Sequence, residues 1–189
     1  MILDRKKAVL LVVDLQDKLI DSISCAHQIE TNTKALIQCA HILGVPVIVS
    51  EQNKLGSTLP EIKKMLKEKK LYNPIIKDYF SCMREPEFNR IFKTYKRQQV
   101  ILCGIEAHIC VLQSALDLMK NNINVYLAAD ALSSHNKSDK DTAVKRMMEE
   151  GAKIASTEMI IYELLKKAGT DDFRAILSHV KQRRKSLTP

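Results

Sequence analysis

The sequence predicts an α/β fold in which a parallel sheet is covered by helices on both faces. Short apolar runs of strand length alternate with segments of helical spacing along the whole chain. No internal repeat, low-complexity linker or break in composition interrupts this alternation. Strands that alternate with helices form βαβ units, whose right-handed crossovers place helices on the faces of the sheet.

Six segments are predicted as strands because they are short, apolar and rich in β-branched residues. The first is "AVLLVVD", and the second has Pro46 near its start, where proline is tolerated. The third is a short strand within "NPIIKDYFS". In chain order the six segments span residues 8–14, 45–52, 73–81, 98–104, 123–132 and 152–157.

The intervening segments have helical spacing and recognisable ends. Gly44 ends the first helix, Pro60 lies in the first turn of the second, and Pro86 lies near the start of the third. Ser138 and Asp141 have the spacing of a capping box with Asp in place of Glu. In chain order the predicted helices span residues 28–44, 59–70, 85–95, 109–122, 138–151, 158–169 and 171–182.

Composition narrows the function classes. The net charge of +8 is spread over the chain, without the interleaved aromatics of RNA-binding motifs, so nucleic-acid binding is a minor alternative. The five cysteines include no CxxC pair, so they predict neither a disulfide framework nor a zinc site, and four of them are expected to be buried hydrophobes. No apolar run is long enough to span a bilayer and no leader pattern occurs, so a cytoplasmic protein is expected.

Three chemically useful side chains lie where predicted strands end. Asp14 ends the first strand, Lys77 ends the third, and Cys110 follows the fourth in the first turn of the next helix. Ligands of such sheets bind outside the carboxyl ends of the strands. Taken singly, Asp14 could cap a helix, Lys77 could face solvent at a sheet edge, and Cys110 could be a packed thiol.

Together the three side chains have the parts needed for acyl transfer through a thioester. An ammonium group and a helix N-terminus both stabilise a thiolate, and a carboxylate can take up and return its proton. Backbone amides at a helix start can hold a developing oxyanion. No glycine-rich phosphate loop follows the first strand, where the sequence is "VDLQDKL", so a Rossmann-type cofactor site is disfavoured.

At these residues the sequence resembles the isochorismatase-like cysteine hydrolases, which include nicotinamidases and N-carbamoyl amidohydrolases. The resemblance rests on "VVDLQ", "KDYFS" and "CGIEAHICVLQSALD" and extends over nearly the whole chain. It implies one domain over residues 1–189, built as a three-layer αβα sandwich around a six-stranded parallel sheet. The branch most similar to this chain comprises the isochorismatase-domain proteins and similar bacterial hydrolases.

The resemblance also implies a catalytic triad. Asp14 would be the proton acceptor, Lys77 the stabiliser of thiolate and transition state, and Cys110 the nucleophile. A non-proline cis peptide would join Ile105 to Glu106, and the backbone amides of Glu106 and Cys110 would form the oxyanion hole. Homo-oligomers are likewise expected from the resemblance.

Two departures from the family pattern refine the expectation. The Asp-x-His metal motif of nicotinamidases is missing from "VSEQNKLGSTLPE", where Glu51 alone does not make a site, so no catalytic metal or other cofactor is predicted. The threonine that often stands four residues after the cysteine is Ser114, which keeps a hydroxyl group. Isochorismatases proper lack the nucleophilic cysteine, so Cys110 disfavours their reaction here.

Four further residues are weaker candidates for a substrate pocket. Tyr79 and Phe80 follow the third strand and could line the pocket, although such aromatics are more often core residues. His108 precedes the cysteine by two positions, and His135 follows the fifth strand, where a turn or cap role is the better interpretation. Cys103, inside the fourth strand, is expected to be buried and inert.

The sequence therefore predicts a metal-independent cysteine hydrolase that cleaves a small amide, carbamoyl or related acyl substrate. The predicted partners are this small molecule and further copies of the chain, without a membrane. A catalytically silent binding or scaffold protein with the same fold remains an alternative, and a nucleic-acid-binding protein is a weaker one.

Overall fold

The computed structural model describes residues 2–188. Its centre is one sheet whose six strands all pair in parallel, in the order β3-β2-β1-β4-β5-β6. The strands are β1 (Ala8–Val13), β2 (Val47–Gln52), β3 (Ile75–Lys77), β4 (Gln99–Gly104), β5 (Asn124–Leu132) and β6 (Lys153–Ala155). The predicted α/β fold with a six-stranded parallel sheet is confirmed.

Eight α-helices connect and follow the strands within residues 2–188. They are α1 (Asp17–Ile20), α2 (Ala26–Leu43), α3 (Pro60–Glu68), α4 (Pro86–Tyr95), α5 (Leu112–Lys120), α6 (Lys137–Glu149), α7 (Thr157–Leu165) and α8 (Asp171–Leu187). Two short segments have other helical geometry, a 3₁₀ turn at Cys82–Arg84 and a π-helical turn at Ala107–Val111. Alternating strands and helices thus continue through the described chain.

The sheet separates two apolar layers because successive side chains of a strand point to opposite faces. In β1, Leu10 and Val12 pack into one layer, while Val9, Leu11 and Val13 pack into the other. Helices α2, α3, α7 and α8 contribute to the first layer, and α4, α5 and α6 to the second. The three-layer αβα sandwich that the resemblance implied is therefore present.

The strand order positions the candidate site. Strands β2 and β3 lie on one side of β1, whereas β4, β5 and β6 lie on the other. The loops that leave the carboxyl ends of β1 and β4 therefore diverge to opposite sides of the sheet, and the crevice between them is the usual ligand position in such folds.

The predicted capping box at Ser138 and Asp141 is wrong. Helix α6 begins one residue earlier than predicted, with Asn136 as its N-cap, so Ser138 lies inside the first turn. The Asp141 carboxylate accepts a hydrogen bond from Lys137 Nζ at 2.6 Å, an exposed pair one helical turn apart. A spacing of three residues fits a box only when the helix begins after its first member.

Within residues 2–188 every helix is too short or too polar for a membrane crossing.

Candidate active site

Asp14 follows β1 directly and is fully buried. Its backbone has φ of 48°, a left-handed conformation that is uncommon for residues other than glycine. The Asp14 N–H donates to Ser50 O at 3.2 Å, and Ser50 Oγ donates to Asp14 Oδ1 at 2.7 Å. Strand β2 thus holds both the backbone and one carboxylate oxygen of Asp14.

Lys77 ends β3 and is only 1% exposed. Its Nζ lies 2.7 Å from Asp14 Oδ2, and it donates to Gln52 Oε1 at 2.5 Å and to Tyr79 O at 3.2 Å. It also lies 3.4 Å from Cys110 Sγ. One buried ammonium group therefore joins the carboxylate and the thiol, although the three residues are distant in the sequence.

Cys110 lies in the π-helical turn Ala107–Val111, which continues into α5. The sequence predicted a single regular helix over 109–122, so the local geometry differs from the expectation. The side chain packs in the layer covered by α4, α5 and α6, and the residue is 7% exposed. A small fraction of the residue is therefore accessible at the carboxyl edge of the sheet.

The surroundings of Cys110 disfavour ionisation of its thiol. Burial raises the pKa of the Cys110 thiol, and the charge of Asp14 raises it further, whereas Lys77 opposes both effects. The role of Lys77 and the helix start in stabilising a thiolate stays a prediction. Burial lowers the pKa of Lys77, but the net pKa is raised, and the charge of Asp14 is the largest of the effects that oppose burial.

The peptide between Ile105 and Glu106 is cis, at the bond where the resemblance placed it. Gly104 precedes this segment with φ of 122°, and its Cα approaches β1 so closely that a Cβ would lie 2.0 Å from Val13 O. The Glu106 carboxylate accepts a hydrogen bond from the N–H of His135 at 3.0 Å. This hydrogen bond therefore connects the loops after β4 and β5 close to Cys110. The role of the Glu106 and Cys110 backbone amides as an oxyanion hole stays a prediction.

The four weaker pocket candidates lie on the three segments that follow β3, β4 and β5. Tyr79 and Phe80 are 54% and 52% exposed, so neither is a core residue. The His108 and His135 rings bond within the protein, His108 Nδ1 to Ser134 Oγ at 3.0 Å and His135 Nδ1 to a backbone carbonyl at 2.8 Å. A role of any of the four in substrate binding stays a prediction.

Three polar residues of the site were not found by sequence reasoning. Ser50 and Gln52 occupy alternate positions of β2, so both face the triad, one at Asp14 and the other at Lys77. Gln16 is fully buried and bonds both backbone groups of Gln52, accepting from its N–H at 2.7 Å and donating to its carbonyl at 2.9 Å. The available signal was the run of three polar residues that ends the otherwise apolar strand β2.

Glu51, the residue of β2 between Ser50 and Gln52, has a structural role. Its Oε1 accepts hydrogen bonds from the N–H and Oγ1 of Thr58 at 2.7 and 2.6 Å and from Tyr72 OH at 2.8 Å. Burial, together with the Glu51 carboxylate, raises the pKa of Tyr72 to about 12. Within residues 2–188 no group of three His, Cys, Asp or Glu side chains has an arrangement that fits a metal ion.

The remaining cysteines differ from one another. Cys39, Cys82 and Cys103 are buried as expected, whereas Cys25 is exposed, which corrects the expectation for that residue. Burial raises the pKa of Cys103 to about 12, and its side chain lies in the layer opposite to Cys110. The N–H of Cys82 donates to Ser114 Oγ at 2.9 Å, so the Ser114 hydroxyl anchors the loop after β3 to α5.

Comparisons with known proteins agree with this fold. A family model described as Isochorismatase domain matches residues 8–159. Isochorismatase family protein 1B of Dictyostelium discoideum is 33% identical over 181 residues, covering 94% of this chain and 88% of the relative.

Two solved structures are also similar. The structure of MAR1 ribonuclease from Caenorhabditis elegans has a TM-score of 0.86 and 36% identity, covering 96% of this chain and 93% of that one. YcaC from Escherichia coli, described as an octameric hydrolase of unknown specificity, has a TM-score of 0.88 and 22% identity, covering 98% and 94%. The second similarity bears on the fold alone.

Proposed function

Because the chain belongs to the isochorismatase domain family, we propose that it is a cysteine hydrolase that cleaves a small amide, carbamoyl or related acyl compound without a metal ion. The observation that carries this proposal is the position of the Lys77 ammonium, 2.7 Å from Asp14 Oδ2 and 3.4 Å from Cys110 Sγ. A nucleophile, a base and a cation in contact at a buried sheet edge are the groups that acyl transfer requires.

Acylation begins with a neutral thiol. Cys110 Sγ attacks the substrate carbonyl carbon while Asp14 takes the thiol proton, so a carbon–sulfur bond forms and the carbonyl oxygen becomes an oxyanion. Backbone amides of Glu106 and Cys110 are proposed to hold that oxyanion. The carbon–nitrogen bond then breaks, and the leaving amine takes the proton from Asp14, which leaves a thioester on Cys110.

In deacylation, water is the nucleophile and the sulfur of Cys110 is the leaving group. Asp14 takes a proton from water as the water oxygen attacks the thioester carbonyl, and the carbon–sulfur bond breaks. The departing sulfur regains the proton from Asp14, and the acid or carbamate is released. Lys77 keeps its proton throughout, because all its close partners are hydrogen-bond acceptors and its net pKa is raised.

Replacement of Cys110 by alanine tests the proposal with a panel of primary amides and N-carbamoyl compounds. We expect the wild-type protein to hydrolyse at least one compound and Cys110→Ala to lose more than about 10³-fold in kcat/KM, because the covalent step needs the sulfur. Cys103→Ala, which removes a buried thiol from the opposite layer, is the matched control and should retain turnover. Full turnover by Cys110→Ala would refute the mechanism.

Cleavage of RNA is a second candidate function, favoured by the 36% identity to the solved MAR1 ribonuclease. The net charge of +8 would attract a polyanion, but Lys77 and Cys110 are only 1% and 7% exposed, which favours a small substrate. We therefore expect end-labelled single-stranded RNA to stay intact with the purified protein at low salt. Cleavage that is abolished in Cys110→Ala and falls steeply with added salt would establish the ribonuclease activity instead.

A homo-oligomer, a single domain over the whole chain and a cytoplasmic location remain predictions. The alternative of a catalytically silent scaffold would be supported if no panel compound reacted and Cys110 resisted alkylation.

A further inference from the structure

We propose that Gln52 is a positioning residue, whose neutral amide holds the Lys77 ammonium between Asp14 and Cys110 without adding charge to the site. This inference rests on the proposed function, since it concerns the nucleophile assigned there. It starts from the shortest polar contact of Lys77, between its Nζ and Gln52 Oε1 at 2.5 Å.

The contacts of the amide define which end is oxygen and which is nitrogen. Gln52 Oε1 accepts from Lys77 Nζ, while Gln52 Nε2 donates to Asp78 O at 3.0 Å. The reversed orientation would place an NH₂ group against an ammonium group and a carbonyl oxygen against a carbonyl oxygen. The amide therefore fits this position in one orientation, and that orientation directs an acceptor at Lys77.

The backbone of Gln52 is held by the loop that follows β1. The buried Gln16 side chain accepts a hydrogen bond from the Gln52 N–H and donates one to the Gln52 carbonyl. Gln16 also donates to Gly56 O at 2.9 Å, which joins the loop after β1 to the loop after β2. Both the main chain and the side chain of Gln52 are thus anchored, as a group that orients a cation requires.

The absence of charge on Gln52 matters because of the groups that face Cys110. Asp14 from the end of β1 and Lys77 from the end of β3 form an ion pair, and the Cys82 thiol after β3 is buried, which raises its pKa. The two charges balance. A carboxylate in place of the amide would add a negative charge about as far from Cys110 Sγ as Gln52 Oε1, which is 3.9 Å away.

Two variants separate charge from shape. Gln52→Glu keeps an acceptor for Lys77 and adds a charge, whereas Gln52→Met has similar length, stays neutral and removes the acceptor. The measurement is the rate of Cys110 alkylation by iodoacetamide as a function of pH, followed by peptide mass spectrometry on the full-length protein. The urea midpoint of each variant shows whether it is folded.

We expect Gln52→Glu to slow alkylation at neutral pH by at least about tenfold and to move the rate profile to higher pH, because an added negative charge disfavours the thiolate. Gln52→Met should have a lower rate and a smaller shift of the pH midpoint than Gln52→Glu, because Lys77 loses a partner that orients it but no charge is added. A purely structural role for Gln52 predicts the same pH midpoint for both variants.

The outcomes distinguish this inference from the proposed function. If wild-type Cys110 is alkylated no faster than Cys103, the assignment of Cys110 as the nucleophile fails. If wild-type Cys110 reacts selectively but Gln52→Glu has the wild-type pH profile, the role of Gln52 is refuted and the proposed function stands.

Discussion

Lys77→Met is expected to destabilise the protein by about 3–5 kcal/mol and to abolish hydrolysis, because it leaves the Asp14 carboxylate buried without its cation. Asp14 is fully buried, and its Oδ2 lies 2.7 Å from Lys77 Nζ. The ammonium also lowers the pKa of Cys110 against the effect of burial, so its loss makes the thiol harder to ionise. Urea denaturation measures the first effect, and iodoacetamide alkylation of Cys110 measures the second.

The double variant Asp14→Asn/Lys77→Met separates stability from chemistry. Removal of both charges leaves no buried unpaired ion, and an asparagine Oδ1 can still accept from Ser50 Oγ. We expect it to recover at least about 2 kcal/mol of the stability lost in Lys77→Met while hydrolysis stays absent. A double variant as unstable as Lys77→Met would show that the lysine stabilises the fold by packing rather than by its charge.

Gly104→Ala is expected to cost more than about 4 kcal/mol of stability. A Cβ at this position would lie 2.0 Å from Val13 O and 2.7 Å from Val13 N, both atoms of the adjacent strand β1. These backbone atoms belong to the pairing of β1 with β4, so neither strand can retreat without losing it. Urea denaturation measures the loss.

Gly151→Ala is the matched control for this change. Gly151 has φ of 106°, a conformation as unfavourable for alanine as that of Gly104, but nothing lies within 4 Å of its Cβ position. We expect it to lose only about 1–2 kcal/mol, from backbone strain alone. Equal losses in the two variants would show that strain, rather than the close approach of β1, determines the cost at Gly104.

The fold was largely predictable because its signals are local. The β-branched run in β1 and the glycine that ends α2 each reflect physics that acts within a few residues. The order of strands in the sheet carries no such local signal, since it depends on which crossovers pack. The capping box at Ser138 was predicted wrongly because a three-residue spacing does not identify the residue at which a helix begins.

The site was predictable to the extent that it follows from the ends of parallel strands. Asp14, Lys77 and Cys110 were found because the carboxyl ends of β1, β3 and β4 meet at one edge of the sheet. Gln52 was missed because the sequence of a buried strand does not indicate which of its two faces contacts a polar group. The raised pKa of Cys110 was not predicted because its largest cause is burial, which depends on packing from several helices.

The central pairing of β1 with β4 has a consequence for how Asp14 and Cys110 come together during folding. These two strands are neighbours in the sheet, but in the sequence they are separated by β2, β3 and the helices that connect them. Pairings between distant parts of a chain form slowly, because the intervening loop must close first. Asp14 and Cys110 therefore meet only when the middle of the sheet is assembled, and time-resolved alkylation of Cys110 during refolding reports the moment at which that assembly is complete.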